Sequence, residues 1–150
     1  MMETCLGIVK DGNFLLFIRK LRGLGEGLLT FPGGKVEENE KPEECVTREL
    51  KEEVGITPTR FSKVAEILFY HGDEEEKMHV YLVSEYVGIP TMSKEALPMW
   101  LKEPIYDEMW ADDKIWLPLV LKGETICCKF YFSKDWSEFK GGECKSCKFA

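Results

Sequence analysis

The sequence contains no long apolar run, no internal repeat and no low-complexity segment. No stretch approaches the roughly 18 consecutive apolar residues that a membrane-spanning helix needs. The opening residues, Met1 to Leu6, carry neither the basic nor the apolar part of an export signal. We therefore expect a cytoplasmic protein that has no membrane partner.

Basic residues are fewer than acidic residues in this chain. It has 20 Lys and Arg against 27 Asp and Glu, which gives a formal net charge of -7. Because an acidic molecule repels polyanions, we expect no binding to long nucleic acids. An acidic protein can still bind a small phosphate compound when its carboxylates first bind divalent cations.

The chain is too short for two ordinary domains, but its 150 residues, 44% of them hydrophobic, suffice for one core. We predict one domain, 1–150, that is a monomer or a weak dimer. Helical and strand-like patterns alternate along it, which indicates an α/β fold with a mixed β-sheet sandwiched between α-helices. We expect the Gly-rich C-terminal tail, at about 141–150, to be mobile.

The six cysteines are not accompanied by an export signal, so we expect reduced thiols rather than a disulfide framework. Cys144 and Cys147 have the spacing of half a zinc site, and Cys127 and Cys128 are the nearby candidates for the other half. Because adjacent strand residues point to opposite faces, two exposed thiols in the tail are the preferred interpretation.

Apolar periodicity and turn-forming residues locate the secondary-structure elements. The predicted strands are 4–10, 14–20, 63–70, 78–86, 100–101 and 125–132. One predicted helix starts within 41–44 and runs to about Val54, and a second, short helix runs to about Leu121. Gly55 ends the first helix, and Asp112 or Asp113 caps the second. The acidic stretch 72–76 is predicted to be a solvated hairpin loop.

Three glutamates of the first predicted helix, Glu49, Glu52 and Glu53, are spaced i, i+3, i+4 and therefore share one face. The adjoining face is apolar and can enter the core. Hard oxygen ligands on one face suit Mg²⁺ or Mn²⁺, with waters and substrate phosphates completing the coordination. The alternative is a solvated face braced by ion pairs of Arg48 with Glu44 and Glu52.

The residues before and within this helix fit the pattern G-x5-E-x7-R-E-U-x-E-E-x-G-U, in which U is a bulky aliphatic residue. The matching residues are Gly34, Glu40, Arg48, Glu49, Leu50, Glu52, Glu53, Gly55 and Ile56. The pattern resembles the Nudix box of the Nudix hydrolase superfamily. That resemblance implies a Nudix fold, Mg²⁺ or Mn²⁺ as the cofactor, and a small-molecule substrate in which a nucleoside diphosphate is linked to another group.

By the same resemblance, Glu49, Glu52 and Glu53 would be metal ligands. Either Glu52 or Glu53, or a more distant glutamate, would activate the attacking water. Arg48 would orient a glutamate, and Gly33 and Gly34 would allow a close backbone turn. Glu40 would brace the loop or contact a metal through water, and Gly55 would end the helix.

A second resemblance covers most of the chain through Phe132. The stretch 106–119 is similar to the corresponding part of the MutT-homologue enzymes that hydrolyse oxidised purine nucleoside triphosphates. Glu95 falls where that subfamily has an additional metal-binding or base glutamate. A tryptophan such as Trp110 offers a flat face on which a purine can stack, and the adjacent carboxyls of Asp112 and Asp113 can contact the ring edge. Without the resemblance, a structural anchor at Trp110 and a helix cap at Asp112 would be the simpler interpretations.

Some pocket positions depart from that subfamily. Thr30 stands where an asparagine reaches the purine, Leu24 replaces a loop aromatic, and Cys5 falls opposite a pocket threonine. Thr30 offers one hydroxyl in place of an amide, so the hydrogen bonds made to the base must differ. Lys20 matches a pocket-side lysine that approaches a phosphate, although a solvated strand end is an equally simple interpretation.

These features predict a Mg²⁺-dependent nucleoside triphosphate diphosphatase that converts oxidised purine nucleoside triphosphates, such as 8-oxo-dGTP or 2-hydroxy-dATP, to the monophosphate and pyrophosphate. Such an enzyme would cleanse the nucleotide pool. The alternatives are a Nudix pyrophosphatase for another substrate, such as ADP-ribose or a dinucleoside polyphosphate, and a Nudix module that binds a nucleotide without cleaving it. The preferred purine stays open.

Overall fold

A computed structural model describes all residues, 1–150. The strands are β1 Met2–Asp11, β2 Phe14–Lys20, β3 Leu29–Thr30, β4 Gly33–Lys35, β5 Thr57–His71, β6 Glu74–Val87, β7 Ala96–Leu101, β8 Ile126–Phe132 and β9 Phe139–Ser146. The helices are α1 Pro42–Val54 and α2 Asp113–Leu121, and a single 3-10 turn lies at Tyr106–Glu108. Neither α-helix has the length and apolar character needed to span a membrane.

The strands form one mixed sheet in the order β3-β2-β1-β6-β5-β8-β9, with β4 paired to β1 and β7 paired to β2. The pairs β1–β6 and β5–β8 are parallel. Along β1, Ile8 packs with the core cluster that includes α2, whereas the next residue, Val9, packs with the cluster that includes α1. Because neighbouring strand residues face opposite sides, the two helices cover opposite faces, which confirms the predicted α/β fold.

Helix α1 is fixed at both ends and along its apolar face. The Glu44 carboxylate accepts a hydrogen bond from the backbone N–H of Lys41 at 2.8 Å, and Gly55 ends the helix with a φ of 75°. A Cβ at Gly7 of β1 would lie 2.9 Å from a methyl group of Val46. The absence of a side chain at Gly7 therefore lets α1, which carries the glutamates, pack closely on the sheet.

The acidic stretch 72–76 differs from its prediction. Only Gly72 and Asp73 form the turn, and β6 begins at Glu74. Glu76 lies opposite Phe69 of β5 and Met2 of β1, inside the sheet rather than in a solvated loop. Charge density in the sequence suggested solvent, but pairing between long strands extends the hairpin and turns this carboxyl toward the interior.

The C-terminal segment contains a strand that the sequence pattern did not reveal. Strand β9 pairs antiparallel with β8, and a Cβ at Gly142 would overlap the backbone of Lys129. Glycine inside a strand often marks such a close approach of two backbones. The glycines that suggested a mobile tail therefore serve strand pairing in this part of the chain.

All six cysteines are paired, so the prediction of reduced thiols is wrong for this structure. The pairs are Cys5–Cys45, Cys127–Cys147 and Cys128–Cys144. Pairing of β8 with β9 places Cys128 opposite Cys144, with 4.1 Å between their Cα atoms, whereas the adjacent Cys127 points to the other face. The two sulfur pairs thus lie on opposite faces of the sheet and do not form one zinc site.

Candidate active site

Two glycines of β4 bring the chain against α1. A Cβ at Gly34 would lie 2.5 Å from the carboxyl carbon of Glu49, and a Cβ at Gly33 would overlap the carbonyl oxygen of Cys5. Both positions therefore exclude a side chain, as predicted from the close turn. The backbone of β4 forms one wall of a site whose opposite wall is the glutamate face of α1.

Glu53 and Glu49 converge next to this backbone. A Glu53 carboxylate oxygen accepts a hydrogen bond from the N–H of Gly33 at 2.8 Å. Burial raises the pKa of Glu53 to about 8, and the nearby charge of Glu49 acts in the same direction. Burial also raises the pKa of Glu49 against the opposing effect of Arg48. Two carboxyls held this close and this far from solvent favour a proton or a cation between them.

Arg48 joins most of the acidic residues of the loop and helix. Its Nε donates to Glu40 at 2.7 Å, its Nη1 donates to Glu49 at 2.7 Å, and its Nη2 donates to the carbonyl oxygen of Lys35 at 2.9 Å. The pKa of Glu40 is lowered, chiefly by its hydrogen bond from Arg48. Arg48 thus contacts Glu40, Glu49 and the backbone of Lys35 at once, and the orienting and bracing roles of Arg48 and Glu40 stay predictions.

The third glutamate of the predicted triad occupies a different environment. The Glu52 side chain is 61% exposed, against 15% for Glu49, and its carboxylate accepts from Arg48 at 3.2 Å. The structure therefore brings Glu49 and Glu53 together and leaves Glu52 at the open edge. No group of three or more His, Cys, Asp or Glu side chains is assembled as a metal cluster. Glu49 and Glu53, with Glu52 beside them, are the oxygen donors that fit a hard divalent cation.

Glu95 lies at the margin of this site, in the loop before β7. Its carboxylate accepts a hydrogen bond from Nε of Arg22 at 2.8 Å, and this bond lowers the pKa of Glu95. The charge of Lys20, the last residue of β2, opposes the burial that raises the pKa of Glu53 and helps to lower the pKa of Glu95. Lys20 therefore lies within electrostatic reach of both carboxyls, where an ammonium group can meet a phosphate.

A cavity of about 210 Å³ leads from these groups into the molecule. Its lining includes Lys20, Gly33, Gly34 and Glu53, here called the outer end, and Trp110, Trp136, Asp112 and Asp113, here called the inner end. The floor is supplied by the sheet, through Thr4, Leu6, Phe69, Glu76 and Met78. One cavity thus connects the glutamate face with the aromatic and acidic residues that the sequence placed in a purine pocket.

The carboxyls of Asp112 and Asp113 are buried side by side at the start of α2. Nε1 of Trp116 donates to Asp112 at 2.9 Å and to Asp113 at 3.1 Å. Burial raises the pKa of Asp112 to about 6, and burial together with the Asp112 charge raises the pKa of Asp113 well above its usual range. Burial of two adjacent carboxyls favours the protonated form of one of them, and a protonated carboxyl would offer the cavity a hydrogen-bond donor beside acceptors. Neither side chain caps the helix.

Two tryptophans from distant segments meet at the inner end. A Cβ at Gly25, in the loop between β2 and β3, would lie 3.0 Å from the ring of Trp110, so that loop packs on the indole. The ring of Trp136, from the turn after β8, lies 5.8 Å from that of Trp110 between centroids. Sequence reasoning missed Trp136 because its polar surroundings carry no periodic signal, and it missed Trp116 as the donor that positions the aspartates.

The three departures in the purine pocket have different outcomes. Thr30 and Leu24 line the cavity, with Leu24 also 57% exposed. Cys5 lies at the cavity wall, but its sulfur is bonded to Cys45 of α1, so it cannot offer the base a thiol. The neighbouring Thr4 instead faces the cavity, and its buried hydroxyl has no hydrogen-bond partner.

Comparisons with known proteins agree with this geometry. The model of the NUDIX domain matches residues 4–118. The chain is 37% identical over 134 residues to the oxidized purine nucleoside triphosphate hydrolase of Danio rerio, covering 86% of this chain and 85% of that protein. It is 36% identical over 99 residues to the 8-oxo-dGTP diphosphatase of Escherichia coli, covering 65% of this chain and 76% of that protein.

A solved structure extends the similarity to the whole fold. The MutT protein of Bacillus halodurans superposes with a TM-score of 0.83 at 25% identity, covering 96% of this chain and 97% of that one. The family match covers the glycine loop, the glutamate helix and most of the sheet that supports them. On these grounds, the chain belongs to the Nudix hydrolase family.

Proposed function

We propose that this protein is a nucleoside triphosphate diphosphatase that hydrolyses oxidised purine nucleoside triphosphates to the monophosphate and pyrophosphate. The observation that carries the proposal is that one cavity is lined both by Glu53 with Lys20 and by Trp110 with the aspartate pair. A nucleotide placed along it would have its phosphates at Glu53 and Lys20 and its base on Trp110. The names of the relatives from Danio rerio and Escherichia coli support the same substrate class.

The outer end supplies the chemistry of phosphate hydrolysis. Glu49 and Glu53, with Glu52 at the edge, would hold Mg²⁺ or Mn²⁺, which when bound neutralises phosphate oxygens and makes water a usable nucleophile near neutral pH. Arg48 keeps Glu49 in place through its hydrogen bond, and the Gly33 N–H fixes Glu53. The ammonium of Lys20 adds positive charge where the phosphate chain enters.

The hydrolysis itself balances simply. The oxygen of water attacks a phosphorus of the α–β anhydride, and the bond from that phosphorus to the bridging oxygen breaks. The monophosphate and pyrophosphate leave, and the water proton passes to a carboxylate. Glu53 and Glu52 are the candidates for that carboxylate. Glu53 is buried and bonded to the Gly33 backbone, whereas Glu52 is exposed and bonded only to Arg48, so their glutamine variants distinguish them.

The inner end supplies the selectivity for a purine. Trp110 offers a stacking surface, and stacking of a base on an aromatic ring contributes about 1 to 3 kcal/mol. Burial raises the pKa of both Asp112 and Asp113, and a protonated carboxyl beside an ionised one would let this wall both donate and accept, which suits a purine edge that carries both kinds of group. These features favour a purine triphosphate over ADP-ribose or a dinucleoside polyphosphate.

A turnover screen tests this function. The protein, with Mg²⁺ or Mn²⁺, is incubated with 8-oxo-dGTP, 2-hydroxy-dATP, 8-oxo-GTP, dGTP, dATP and ADP-ribose, and the products are identified by mass. We expect the oxidised purines to be hydrolysed with the highest kcat/KM, with pyrophosphate as the common product. If ADP-ribose is the best substrate, or if oxidised and normal purines are hydrolysed equally well, the proposal of nucleotide-pool sanitisation fails.

We further propose that residues 1–150 form a single Nudix domain that works in the cytoplasm as a monomer or a weak dimer. One cooperative unfolding transition and a monomer mass by light scattering would support the first and last points. The thiol state bears on the compartment, because disulfides persist mainly under oxidising conditions. Rapid alkylation of the protein in intact cells, followed by mass spectrometry, shows whether the disulfides Cys127–Cys147 and Cys128–Cys144 form there. Recovery of the protein outside the cytoplasmic fraction would contradict the proposed compartment.

A further inference from the structure

Two polar side chains on the cavity floor have no hydrogen-bond partner. The hydroxyl oxygen of Thr4 is buried without one. The carboxyl of Glu76 is half-buried, lines the same cavity and makes no hydrogen bond or ion pair with another side chain. A buried polar group without a partner is costly, so such groups in a binding cavity point to a ligand that completes them.

Thr4 and Glu76 are neighbours on one face of the sheet. In the parallel pairing of β1 with β6, Met2 lies opposite Glu76 and Thr4 lies opposite Met78. Thr4 and Glu76 are therefore diagonal partners two residues apart in register, with both side chains on the cavity side. A glutamate side chain can span the distance between diagonal partners. The floor thus offers a hydroxyl donor and a carboxylate acceptor next to one another.

This donor and acceptor are separate from the aspartate pair. Burial raises the pKa of Glu76, and the charge of His71 partly opposes that shift. Glu76 extends from the sheet beside Phe69, whereas the aspartates lie at the start of α2. The two polar groups face the cavity from different walls and can contact different edges of one base.

The imidazole edge of an 8-oxopurine is complementary to this floor. Oxidation at C8 creates a carbonyl oxygen at C8 and places a proton on N7, so the edge carries an acceptor beside a donor. A normal purine has an unprotonated N7 acceptor and a C–H at C8. In a normal purine, the lone pair of N7 would face the Glu76 carboxylate and the Thr4 hydroxyl would have no acceptor. A site that leaves polar groups unpaired with the wrong ligand discriminates strongly between two similar ligands.

We propose that Thr4 and Glu76 determine specificity for C8-oxidised purines, with the Thr4 hydroxyl donating to the C8 oxygen and the Glu76 carboxylate accepting from N7–H. The proposal rests on the proposed function for the orientation of the nucleotide in the cavity. It adds a recognition element that is distinct from the aspartate pair. It also restricts the effect to one edge of the base, since the hydroxyl of 2-hydroxyadenine lies on the other ring.

Calorimetric titration with nucleoside monophosphates tests the proposal without turnover. The parent protein should bind 8-oxo-dGMP about tenfold or more tightly than dGMP, and 8-oxo-dAMP should show a similar preference over dAMP. Glu76→Gln and Thr4→Val should each reduce both preferences by at least about threefold, because glutamine can donate to a normal N7 and valine has no hydroxyl. The preference for 2-hydroxy-dAMP over dAMP should change by less than about twofold.

Matched variants provide the controls. Thr4→Ser retains a hydroxyl and should retain the preference. Glu75→Gln changes an exposed carboxyl at the adjacent position of β6, on the other side of the strand, and should leave every ratio unchanged. Because each result is a ratio of two affinities on one protein, loss of some folded material does not alter it.

The outcomes separate this proposal from the proposed function. If the parent protein prefers 8-oxo-dGMP but hydrolyses no purine triphosphate, the proposed function fails. The recognition element is still supported in that case if Glu76→Gln and Thr4→Val lower the preference. If both variants keep the parent preference within about twofold, the recognition element is wrong even where 8-oxo-dGTP is hydrolysed. A parent protein without any preference for the C8-oxidised base also overturns it.

Discussion

The outer and inner ends of the cavity are stabilised by different means. At the outer end, Glu49, Glu53 and Arg48 project from one rigid helix against the backbone of β4, and hydrogen bonds to Gly33 and Lys35 fix them. At the inner end, side chains from three distant segments meet: the turn before α2, the turn after β8, and the sheet floor. The outer end is thus a local device suited to chemistry, and the inner end is an assembly suited to selectivity.

This difference predicts that the two ends can be damaged separately. Substitutions on α1 should lower kcat with little effect on the affinity for the base. Substitutions at the inner end should weaken binding of the base and leave the hydrolytic step largely intact. Four changes test the separation, and they follow from the largest expected effect to the smallest.

Glu53→Gln should have the largest effect. Replacing the buried carboxyl by an amide removes its charge and its capacity to hold a cation or a proton, so we expect kcat to fall by about a thousandfold or more. Affinity for 8-oxo-dGMP, measured by calorimetry, should stay within a few-fold of the parent. Glu38→Gln, at an exposed position of the loop before α1, is the control. Turnover within a few-fold of the parent would show that Glu53 has no part in the reaction.

Trp110→Ala should show the opposite pattern. Loss of the stacking surface should weaken binding of 8-oxo-dGMP by about tenfold to a hundredfold, in keeping with 1 to 3 kcal/mol for stacking of one base. The value of kcat at saturating nucleotide should change far less. Trp110→Phe retains an aromatic face and should recover most of the affinity. An unchanged affinity in Trp110→Ala would place the base elsewhere.

The same difference between the two ends explains how much the sequence predicted. The predicted roles of Gly34, Arg48 and Glu53 follow from the resemblance of one loop and helix to the Nudix box, whose residues lie close together in the sequence. Trp136 and Glu76 enter the cavity only through long-range pairing of β5, β6 and β8, which the spacing of residues does not reveal. The acidic surroundings of Glu76 suggested a solvated turn.

The cysteines illustrate the same limit. Their spacing suggested at most half a zinc site, but the pairing of Cys5 with Cys45 requires that β1 lie against α1. That contact joins residues separated by 40 positions in the sequence. Composition describes the whole chain rather than the proximity of its side chains. Disulfide pairs therefore follow from the fold, and the fold must be known before they can be assigned.

Arg48→Lys should have a moderate effect that remains at the outer end. Lysine keeps one positive charge but cannot donate simultaneously to Glu40, Glu49 and the Lys35 carbonyl oxygen in the planar geometry of a guanidinium. Because Glu49 would be less firmly oriented, we expect kcat to fall by about tenfold, with KM little changed. Arg60→Lys changes an exposed arginine that pairs with Glu85 on the surface and should have no effect. A change in KM alone would contradict the orienting role.

Asp112→Asn should have the smallest effect of the four substitutions, a change in how the free energy of unfolding depends on pH. Burial raises the pKa of Asp112 in the folded protein from its usual 3.8 to about 6, and it also raises that of Asp113. A carboxyl with a raised folded pKa stabilises the fold when protonated, and this contribution is lost as the pH rises through the folded pKa. Between pH 4.5 and 8, the free energy of unfolding of the parent should therefore fall by at least about 1 kcal/mol more than that of Asp112→Asn.

Urea denaturation of both proteins at several pH values measures this difference, with Asp107→Asn at an exposed position as the control. The comparison isolates the aspartate pair, because Glu53 and Glu76 titrate identically in both proteins. If the two curves of stability against pH run parallel, the pair is not a strained buried acid in the free enzyme. The inner end would then lack the shared proton that lets it donate and accept, and its selectivity would have to depend on Trp110 and the cavity floor alone.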